Sequence, residues 1–171
     1  AAGAATCTAC AAGKTSNALH TACTDCTAGT ASFTAGSPTC QSCPVGSYQD
    51  TPGSSLCTSC AAGTYAGTTG LNSCIACAAG TFSVVGASSC SPCPDGYISA
   101  AGASECTACA LGKTSNTAHT SCVNCDTGKF AGVVGSPSCL TCPAGTYRDT
   151  PGGSSCVACA AGTYNSSTGQ S

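Results

Sequence analysis

Residues 40–60 read CQSCPVGSYQDTPGSSLCTSC, and they contain one complete copy of the unit from which the chain is built. Two C-x-x-C pairs enclose Gly46, a tyrosine two residues later and an Asp-Thr-Pro-Gly turn that ends at Gly53. The same unit occurs ten times, which makes the chain a tandem array whose repeats we number 1 to 10. The cysteine pairs begin 16 or 17 residues apart, at positions 7/10, 23/26, 40/43, 57/60, 74/77, 90/93, 106/109, 122/125, 139/142 and 156/159.

Glycine and aromatic positions are also fixed within the unit. A first Gly follows the second cysteine by three residues in all ten repeats, and a second Gly lies four residues before the next cysteine in seven of the nine complete repeats. This pattern predicts a short extended segment after the first Gly and a turn at the second, which together form a small irregular β-hairpin. An aromatic residue lies two positions after the first Gly in six repeats, at Tyr48, Tyr65, Phe82, Phe130, Tyr147 and Tyr164.

A longer repeat predicts the domain organisation. Residues 7–72 and 106–171 are identical at 37 of 66 positions, with a constant offset of 99 residues. We therefore expect residues 1–6 to be the lead-in from a preceding array. Residues 7–105 are expected to form six cysteine-rich repeats, and residues 106–171 four further repeats that partly duplicate the first block. The truncated second block predicts a longer parent protein.

The composition excludes a domain with a single hydrophobic core. Of the 171 residues, 20 are Cys, whereas Leu, Ile, Val and Phe sum to only 17. Ordering a chain costs about 1.5 kcal/mol per residue, which so few large apolar side chains cannot offset. The four Lys and Arg residues are too dispersed to bind nucleic acid, and no window is apolar enough to span a membrane. We predict a small disulfide-rich fold, mostly irregular with short β-hairpins, arranged as an elongated linear rod without a central hydrophobic core.

The paired cysteines allow two chemical interpretations. Neighbouring C-x-x-C pairs could supply four thiolates to zinc, but several such sites would carry negative charge that four basic residues cannot balance. An even cysteine count, many Ser and Thr residues and almost no core favour disulfides in an oxidising compartment. Redox catalysis is disfavoured, because a thioredoxin-type site needs one motif at the start of a helix rather than ten in series.

Spacing alone leaves two disulfide schemes open. In the alternative scheme neighbouring pairs interlock, for example Cys7–Cys23 with Cys10–Cys26, and all 20 cysteines are used. In the favoured scheme the second cysteine of each pair joins the first cysteine of the next, which leaves Cys7 and Cys159 for neighbouring repeats outside this segment. The favoured disulfides are Cys10–Cys23, Cys26–Cys40, Cys43–Cys57, Cys60–Cys74, Cys77–Cys90, Cys93–Cys106, Cys109–Cys122, Cys125–Cys139 and Cys142–Cys156.

Residues 43–48 (CPVGSY) and 142–147 (CPAGTY), each followed by a C-x-x-C pair, resemble the cysteine-rich repeats of ephrin-receptor-like and growth-factor-receptor-like modules. They are also similar to the first half-module of tumour-necrosis-factor-receptor domains. The resemblance covers residues 7–171, and it implies the consecutive disulfide pairing and a module without catalytic residues. Long arrays of this kind resemble protist and algal surface proteins, including mastigoneme-type proteins. At the aromatic position, repeats 1, 2 and 7 depart from the family with Thr15, Ala31 and Thr114.

Other motifs predict no site. Gly13-Lys14-Thr15 lacks the upstream glycine of a phosphate-binding loop, and the Asp-Thr-Pro-Gly strings are ordinary turns. His20 and His119 are equivalent positions of the duplication, and minimal hairpins give them no pocket, so we expect no Ser/His/Asp catalytic set. We predict that the chain is not an enzyme and has no catalytic, cofactor-binding or metal site.

The function predicted from the sequence is structural. We expect an extracellular, secreted segment that forms a rigid, disulfide-stabilised rod in a cell-surface filament, stalk or coat. Its expected partners are copies of itself, other surface or matrix proteins, and covalent glycans on Ser and Thr and at the Asn165-Ser166-Ser167 sequon. The alternatives are a variable surface antigen and a ligand-binding cysteine-rich receptor ectodomain, which would use exposed charged and large apolar residues.

Overall fold

The computed structural model describes residues 6–171. In this range 18 short strands form nine separate two-stranded antiparallel sheets, and neither a helix nor a segment suited to crossing a membrane as a helix occurs. The strands are β1 (Lys14–Ser16), β2 (Cys23–Asp25), β3 (Thr30–Ala31), β4 (Gln41–Ser42), β5 (Ser47–Tyr48), β6 (Thr58–Ser59), β7 (Thr64–Tyr65), β8 (Ile75–Ala76), β9 (Thr81–Phe82), β10 (Ser91–Pro92), β11 (Tyr97–Ile98), β12 (Thr107–Ala108), β13 (Lys113–Ser115), β14 (Cys122–Asn124), β15 (Lys129–Phe130), β16 (Leu140–Thr141), β17 (Thr146–Tyr147) and β18 (Val157–Ala158).

Each hairpin pairs the segment after the first Gly with the residues inside the next C-x-x-C pair. In β5–β6, for example, Tyr48 lies opposite Thr58. Hairpins β1–β2 and β13–β14 have three residues per strand, whereas the other strands have two. A two-stranded ribbon of this size is not stable alone in water, so each hairpin depends on its disulfide and on its neighbours.

Cα packing divides the described residues into two compact units. Unit 1 contains the described residues up to Ala76 together with Val84–Ser89, and unit 2 contains Cys77–Ser83 and Cys90–Ser171. Hairpins β1–β2 to β7–β8 therefore belong to unit 1, and hairpins β9–β10 to β17–β18 belong to unit 2.

Within each unit, backbone hydrogen bonds join every repeat to the next at fixed positions. In unit 1 the N–H of Gly46 donates to the carbonyl of Ala66 at 2.8 Å, and in unit 2 the N–H of Gly128 donates to the carbonyl of Arg148 at 2.8 Å. The second Gly also donates, as Gly53 N–H does to the carbonyl of Cys26 at 2.8 Å. Except at Gly96, whose N–H donates to the Oγ of Ser115, the bonds of the first Gly use main-chain groups and do not depend on which side chains a repeat carries.

Cysteines and small residues make up the buried interior. The second cysteine of a pair is 0–7 % exposed, at Cys10, Cys26, Cys43, Cys60, Cys77, Cys93, Cys109, Cys125 and Cys142. The position three residues after the first Gly is also buried in six repeats, as Ala66 and Ala131 are (0 % exposed each). The aromatics Tyr48, Tyr65 and Phe82 are only half-buried. The cystines are therefore the core of the repeats, as expected for a chain that has too few large apolar residues to form a hydrophobic core.

Candidate functional site

Nine disulfides link the second cysteine of each pair to the first cysteine of the next, from Cys10–Cys23 to Cys142–Cys156. Their Cα–Cα distances are 5.5–5.8 Å, which is the normal range for a disulfide. These are the nine pairs favoured from the sequence, and none of the interlocking pairs forms among residues 6–171. Since these eighteen sulfurs are bonded to each other, they are not available as thiolates for zinc ribbons.

In seven repeats the first Gly is the point where a repeat contacts the repeat two positions ahead. Gly46 has a φ of +79°, and a Cβ added there would overlap the carbonyl oxygen of Gly86. The requirement for Gly is therefore double, because a side chain would be strained at this φ and would also displace the following turn. The same overlap, with Gly53, Gly70, Ala118, Gly135, Gly152 and Gly169 respectively, occurs at Gly13, Gly29, Gly80, Gly96, Gly112 and Gly128.

The two histidine repeats are built alike. His20 and His119 have φ values of +56° and +54°, a left-handed conformation that other non-Gly residues of the described chain do not adopt. The Oγ of Ser16 lies 3.1 Å from the Nδ1 of His20, and the Oγ of Ser115 lies 3.3 Å from the Nδ1 of His119. Each histidine therefore supplies the positive φ of its own turn, one position after the place where most repeats have the second Gly, which Leu19 and Ala118 occupy here.

Repeat 7 differs from the sequence-based expectation of no Ser/His/Asp set. The Nε2 of His119 lies 3.7 Å from the Oδ1 of Asp95, so that Ser115, His119 and Asp95 form a row. The expectation did not foresee that these three side chains lie close together, because it considered each hairpin alone. Packing of the repeats brings Asp95 of repeat 6 against repeat 7.

The row does not have the geometry of a nucleophilic triad. Ser115 is on the Nδ1 side and the carboxylate on the Nε2 side, the reverse of that arrangement, and the hydroxyl already accepts a hydrogen bond from the N–H of Gly96 at 2.9 Å. Asp95 is also largely exposed (73 %). The row serves as a contact between repeats 6 and 7.

Two cysteines of the described chain are not in disulfides. Cys7 is exposed and Cys159 is partly exposed. They stand at the beginning and end of the cysteine pattern, which is where the favoured scheme leaves a first and a second cysteine without a partner.

The sequon residue Asn165 is half-buried. Its Nδ2 donates to the carbonyl of Thr146 at 3.1 Å, and its Oδ1 accepts from the N–H of Ser167 at 3.0 Å. The amide that a glycan would use therefore also holds repeat 10 against repeat 9.

A family model described as "Tyrosine-protein kinase ephrin type A/B receptor-like" matches residues 63–98 and 112–155. Both matched ranges carry the consecutive disulfides and the paired glycines described above. The matched ranges are ephrin-receptor-like cysteine-rich repeats, and the other repeats share their cysteine and glycine spacing. No curated protein matches the chain. Ephrin-receptor-like repeats are a non-catalytic module of extracellular receptor-type proteins, in agreement with the resemblance seen in the CPxGxY strings.

Sequence reasoning did not find how ephrin-receptor-like repeats contact one another. The position three residues after the first Gly is Ser32, Gln49, Ala66, Ser83, Ser99, Ala131, Arg148 or Asn165 in different repeats, so its side chain gives no pattern. A backbone carbonyl at this position nevertheless accepts the bond from the preceding repeat, at Ser32, Gln49, Ala66, Ser99, Ala131, Arg148 and Asn165. The signal that was available is the Gly itself, since an invariant Gly at one offset marks a position where backbone approaches backbone.

Proposed function

We propose that this ephrin-receptor-like array is an extracellular structural segment, a rigid disulfide-stabilised rod in a cell-surface filament, stalk or coat. The observation that carries the proposal is that contacts within each unit recur at fixed offsets, from repeat n to repeats n+1 and n+2. Recurring nearest-neighbour contacts are typical of quasi-one-dimensional repeat proteins. A chain of hairpins with covalent cores resists extension and proteolysis without needing a large apolar domain.

An extracellular location is supported by the nine disulfides, since structural disulfides persist in oxidising compartments. In the proposed parent protein, residues 1–6 lead in from a preceding array and residues 7–105 and 106–171 are successive blocks. Cys7 and Cys159 then pair with cysteines of the repeats that flank the segment.

Glycans are part of the proposal. A glycan on Nδ2 of Asn165 leaves one amide hydrogen for the bond to Thr146, so N-glycosylation is compatible with the contact between repeats 9 and 10. For O-linked glycans the exposed turn threonines Thr68 and Thr69 are better acceptors than Thr163, whose hydroxyl donates to the carbonyl of Ala160 at 2.7 Å.

Small-angle X-ray scattering of the monomer tests the rod. A compact protein of this length has a radius of gyration of about 16 Å, and the rod predicts a value well above this. A radius of gyration near about 16 Å would contradict it. The chain used is the Cys7→Ser/Cys159→Ser double variant, which cannot cross-link between molecules through these thiols.

One observation favours the receptor-ectodomain alternative. Two turns carry exposed valine pairs, Val84 and Val85 (64 % and 66 % exposed) and Val133 and Val134 (62 % and 60 %). Exposed apolar turns of this kind can anchor a protein ligand. Tight binding of a protein ligand that is lost in Val84→Ser/Val85→Ser, while the monomer is not extended, would favour the ectodomain over the rod.

A further inference from the structure

We propose, as a deepening of the proposed function that rests on it, that three hairpins of unit 2 form a lateral contact with the same hairpins of a second, antiparallel copy of the chain. The hairpins are β13–β14, β15–β16 and β17–β18. The contact is made by Val123, Leu140 and Val157, which we call the apolar strip. Each residue of the strip is the first of the two residues between the cysteines of a C-x-x-C pair.

This position is exposed in all ten repeats. In the apolar strip the exposed fractions are 42 % for Val123, 55 % for Leu140 and 43 % for Val157. Ile75 at the same position of repeat 5 is 49 % exposed, although four repeats precede it and five follow it. The exposure is therefore a property of the position within the repeat, and it does not depend on the distance from either end of the sequence.

The geometry of the hairpins explains why this position faces solvent. Successive residues of a strand point to opposite faces. The second residue between the cysteines packs against the turn of the following repeat. A Cβ added at Gly152 would lie 3.2 Å from the Cγ of Asn124, and one added at Gly169 would lie 3.0 Å from the Cγ2 of Thr141. The first residue points away from that turn, on the face that it shares with its cross-strand partner.

The fold does not require apolar residues in the strip. At an offset of 99 residues the strip is replaced in the first block by three exposed polar residues, Thr24, Gln41 and Thr58. The register of the hairpins is unchanged, since Thr58 lies opposite Tyr48 as Val157 lies opposite Tyr147. Single exposed apolar residues are normal on a protein surface, whereas a set of them that the fold does not need indicates an interaction site.

The strip belongs to a larger uncharged face of unit 2. Its cross-strand partners are Thr114, Phe130 and Tyr147, of which the two aromatics are half-buried. None of these six side chains is charged. Lys113 and Lys129 are the neighbours of Thr114 and Phe130 in their strands, so they lie on the other face. An uncharged face can contact a copy of itself without repulsion between like charges.

The order of residues in the strip favours a second copy as its partner. Val123 and Val157 each lie 17 residues from Leu140, so the strip reads valine, leucine, valine in both directions. A two-fold axis at Leu140 places the two leucines against each other and Val123 against Val157 of the second copy. Parallel copies would match for any order of residues, whereas antiparallel copies require an order that is the same in both directions. The strip meets this requirement.

The contact closes at two copies, because both strips are used in it. A stable interface buries about 800 Å² per partner, which is more than three side chains and their neighbours supply, so the dimer is weak and reversible. Contacts of this kind hold rods side by side in pairs. They identify copies of the chain as one partner of the proposed surface structure.

Sedimentation equilibrium of the Cys7→Ser/Cys159→Ser chain, over a wide range of protein concentration, tests the contact without cross-linking through these thiols. We expect a reversible dimer. Val123→Thr/Leu140→Gln/Val157→Thr gives the strip the residues of the first block and should weaken dimerisation at least about tenfold, because apolar burial is lost at every position. Disulfide mapping should find the nine internal disulfides in this variant.

Ile75→Thr is the matched control, because it removes an equally exposed apolar side chain whose neighbours at the same position, Thr58 and Ser91, are polar. It should leave dimerisation unchanged. A parent chain that stays monomeric, or a strip variant that dimerises as well as Ile75→Thr, would overturn the proposal. Binding of a protein ligand that is lost in the strip variant, with no dimer of the parent chain, would also overturn it and favour the receptor-ectodomain alternative.

Two charged variants test the antiparallel orientation. In Val123→Lys/Val157→Glu each lysine meets a glutamate of the antiparallel copy, so the dimer should persist. In Val123→Lys/Val157→Lys lysine meets lysine at both ends, and dimerisation should be at least about tenfold weaker than in the lysine–glutamate variant. Equal loss in both variants would contradict the antiparallel contact, since in parallel copies like charges meet in either variant.

The failure of this contact can be distinguished from the failure of the proposed rod. An extended monomer in X-ray scattering that forms no dimer would overturn the contact alone. A compact monomer whose dimerisation depends on the apolar strip would overturn the rod alone.

Discussion

Repeats 3 and 9 are duplicates of each other, and they fill the same space with different side chains. In repeat 3 the Nε2 of Gln49 donates to the Oγ of Ser54 at 2.7 Å and to the carbonyl of Leu56. In repeat 9 the equivalent residues are Arg148 and Gly153, and the guanidinium lies where a Cβ of residue 153 would be. The Nε of Arg148 is buried there without a hydrogen-bond partner among residues 6–171.

The backbone around these two side chains is the same. Gln49 N–H donates to the carbonyl of Leu71 at 3.1 Å, and Arg148 N–H donates to the carbonyl of Gln170 at 3.0 Å. Both repeats are closed by a disulfide over 14 residues, with Cα–Cα distances of 5.6 Å and 5.8 Å. The comparison teaches that cysteines and glycines set the position of each repeat, while the side chain at the contact adapts to its local neighbours.

The largest effect should come from removing a disulfide, and it should be the same in both repeats. Cys43→Ser/Cys57→Ser and Cys142→Ser/Cys156→Ser should each destabilise their hairpin by about 3 kcal/mol, the value for a loop of this length. Hydrogen exchange of the hairpin amides measures the free energy of local opening. Protection that survives in one of the two variants would show that its hairpin has another source of stability.

Substitution of the first Gly should destabilise repeat 3 more than repeat 9. Gly46→Ala and Gly145→Ala both place a side chain at φ near +80°, at a cost of about 1–2 kcal/mol. Only Gly46→Ala also meets the carbonyl of Gly86, so it should cost about 1 kcal/mol more than Gly145→Ala. Thermal unfolding of both variants measures the difference. Equal losses of stability in the two variants would mean that the contact between repeats 3 and 5 rearranges without a cost in free energy.

A double-mutant cycle tests the exchanged side chains. Gly153→Ser alone should destabilise repeat 9 by about 1–2 kcal/mol because the new side chain overlaps the Arg148 guanidinium. Arg148→Gln should remove most of that loss, since it restores the pair found in repeat 3, and the coupling energy should exceed about 0.5 kcal/mol. Additive losses in urea titrations would show that the two side chains do not share space.

The smallest effect is expected for an ion pair that distinguishes repeat 1 from repeat 7. The Nζ of Lys14 lies 2.6 Å from the Oδ1 of Asp25, with both side chains about half exposed, whereas Asn124 faces Lys113 at the equivalent position. Lys14→Ala should cost less than about 1 kcal/mol and Lys113→Ala close to nothing. The Lys14→Ala loss should disappear at high salt, and a loss that persists there would point to packing of the lysine stem.

The disulfide-rich hairpin fold could be predicted from the sequence because the type and spacing of the cysteine and glycine residues indicate their structural roles. A Gly at one offset in ten repeats predicts a special backbone position, and the structure gives each such Gly a positive φ. The contact of Gly46 with Gly86 could not be predicted, since nothing in either residue indicates a partner two repeats away. The row of Asp95, Ser115 and His119 could not be predicted for the same reason, because it forms only when repeats 6 and 7 pack together.

The disulfide map of the native protein is the most decisive test of whether one cystine closes each hairpin. Proteolysis without reduction, followed by mass spectrometry, should yield the nine consecutive cross-links from Cys10–Cys23 to Cys142–Cys156. Peptides that join Cys7 to Cys23 and Cys10 to Cys26 would contradict the claim, because interlocked pairs would not place one cystine inside each hairpin.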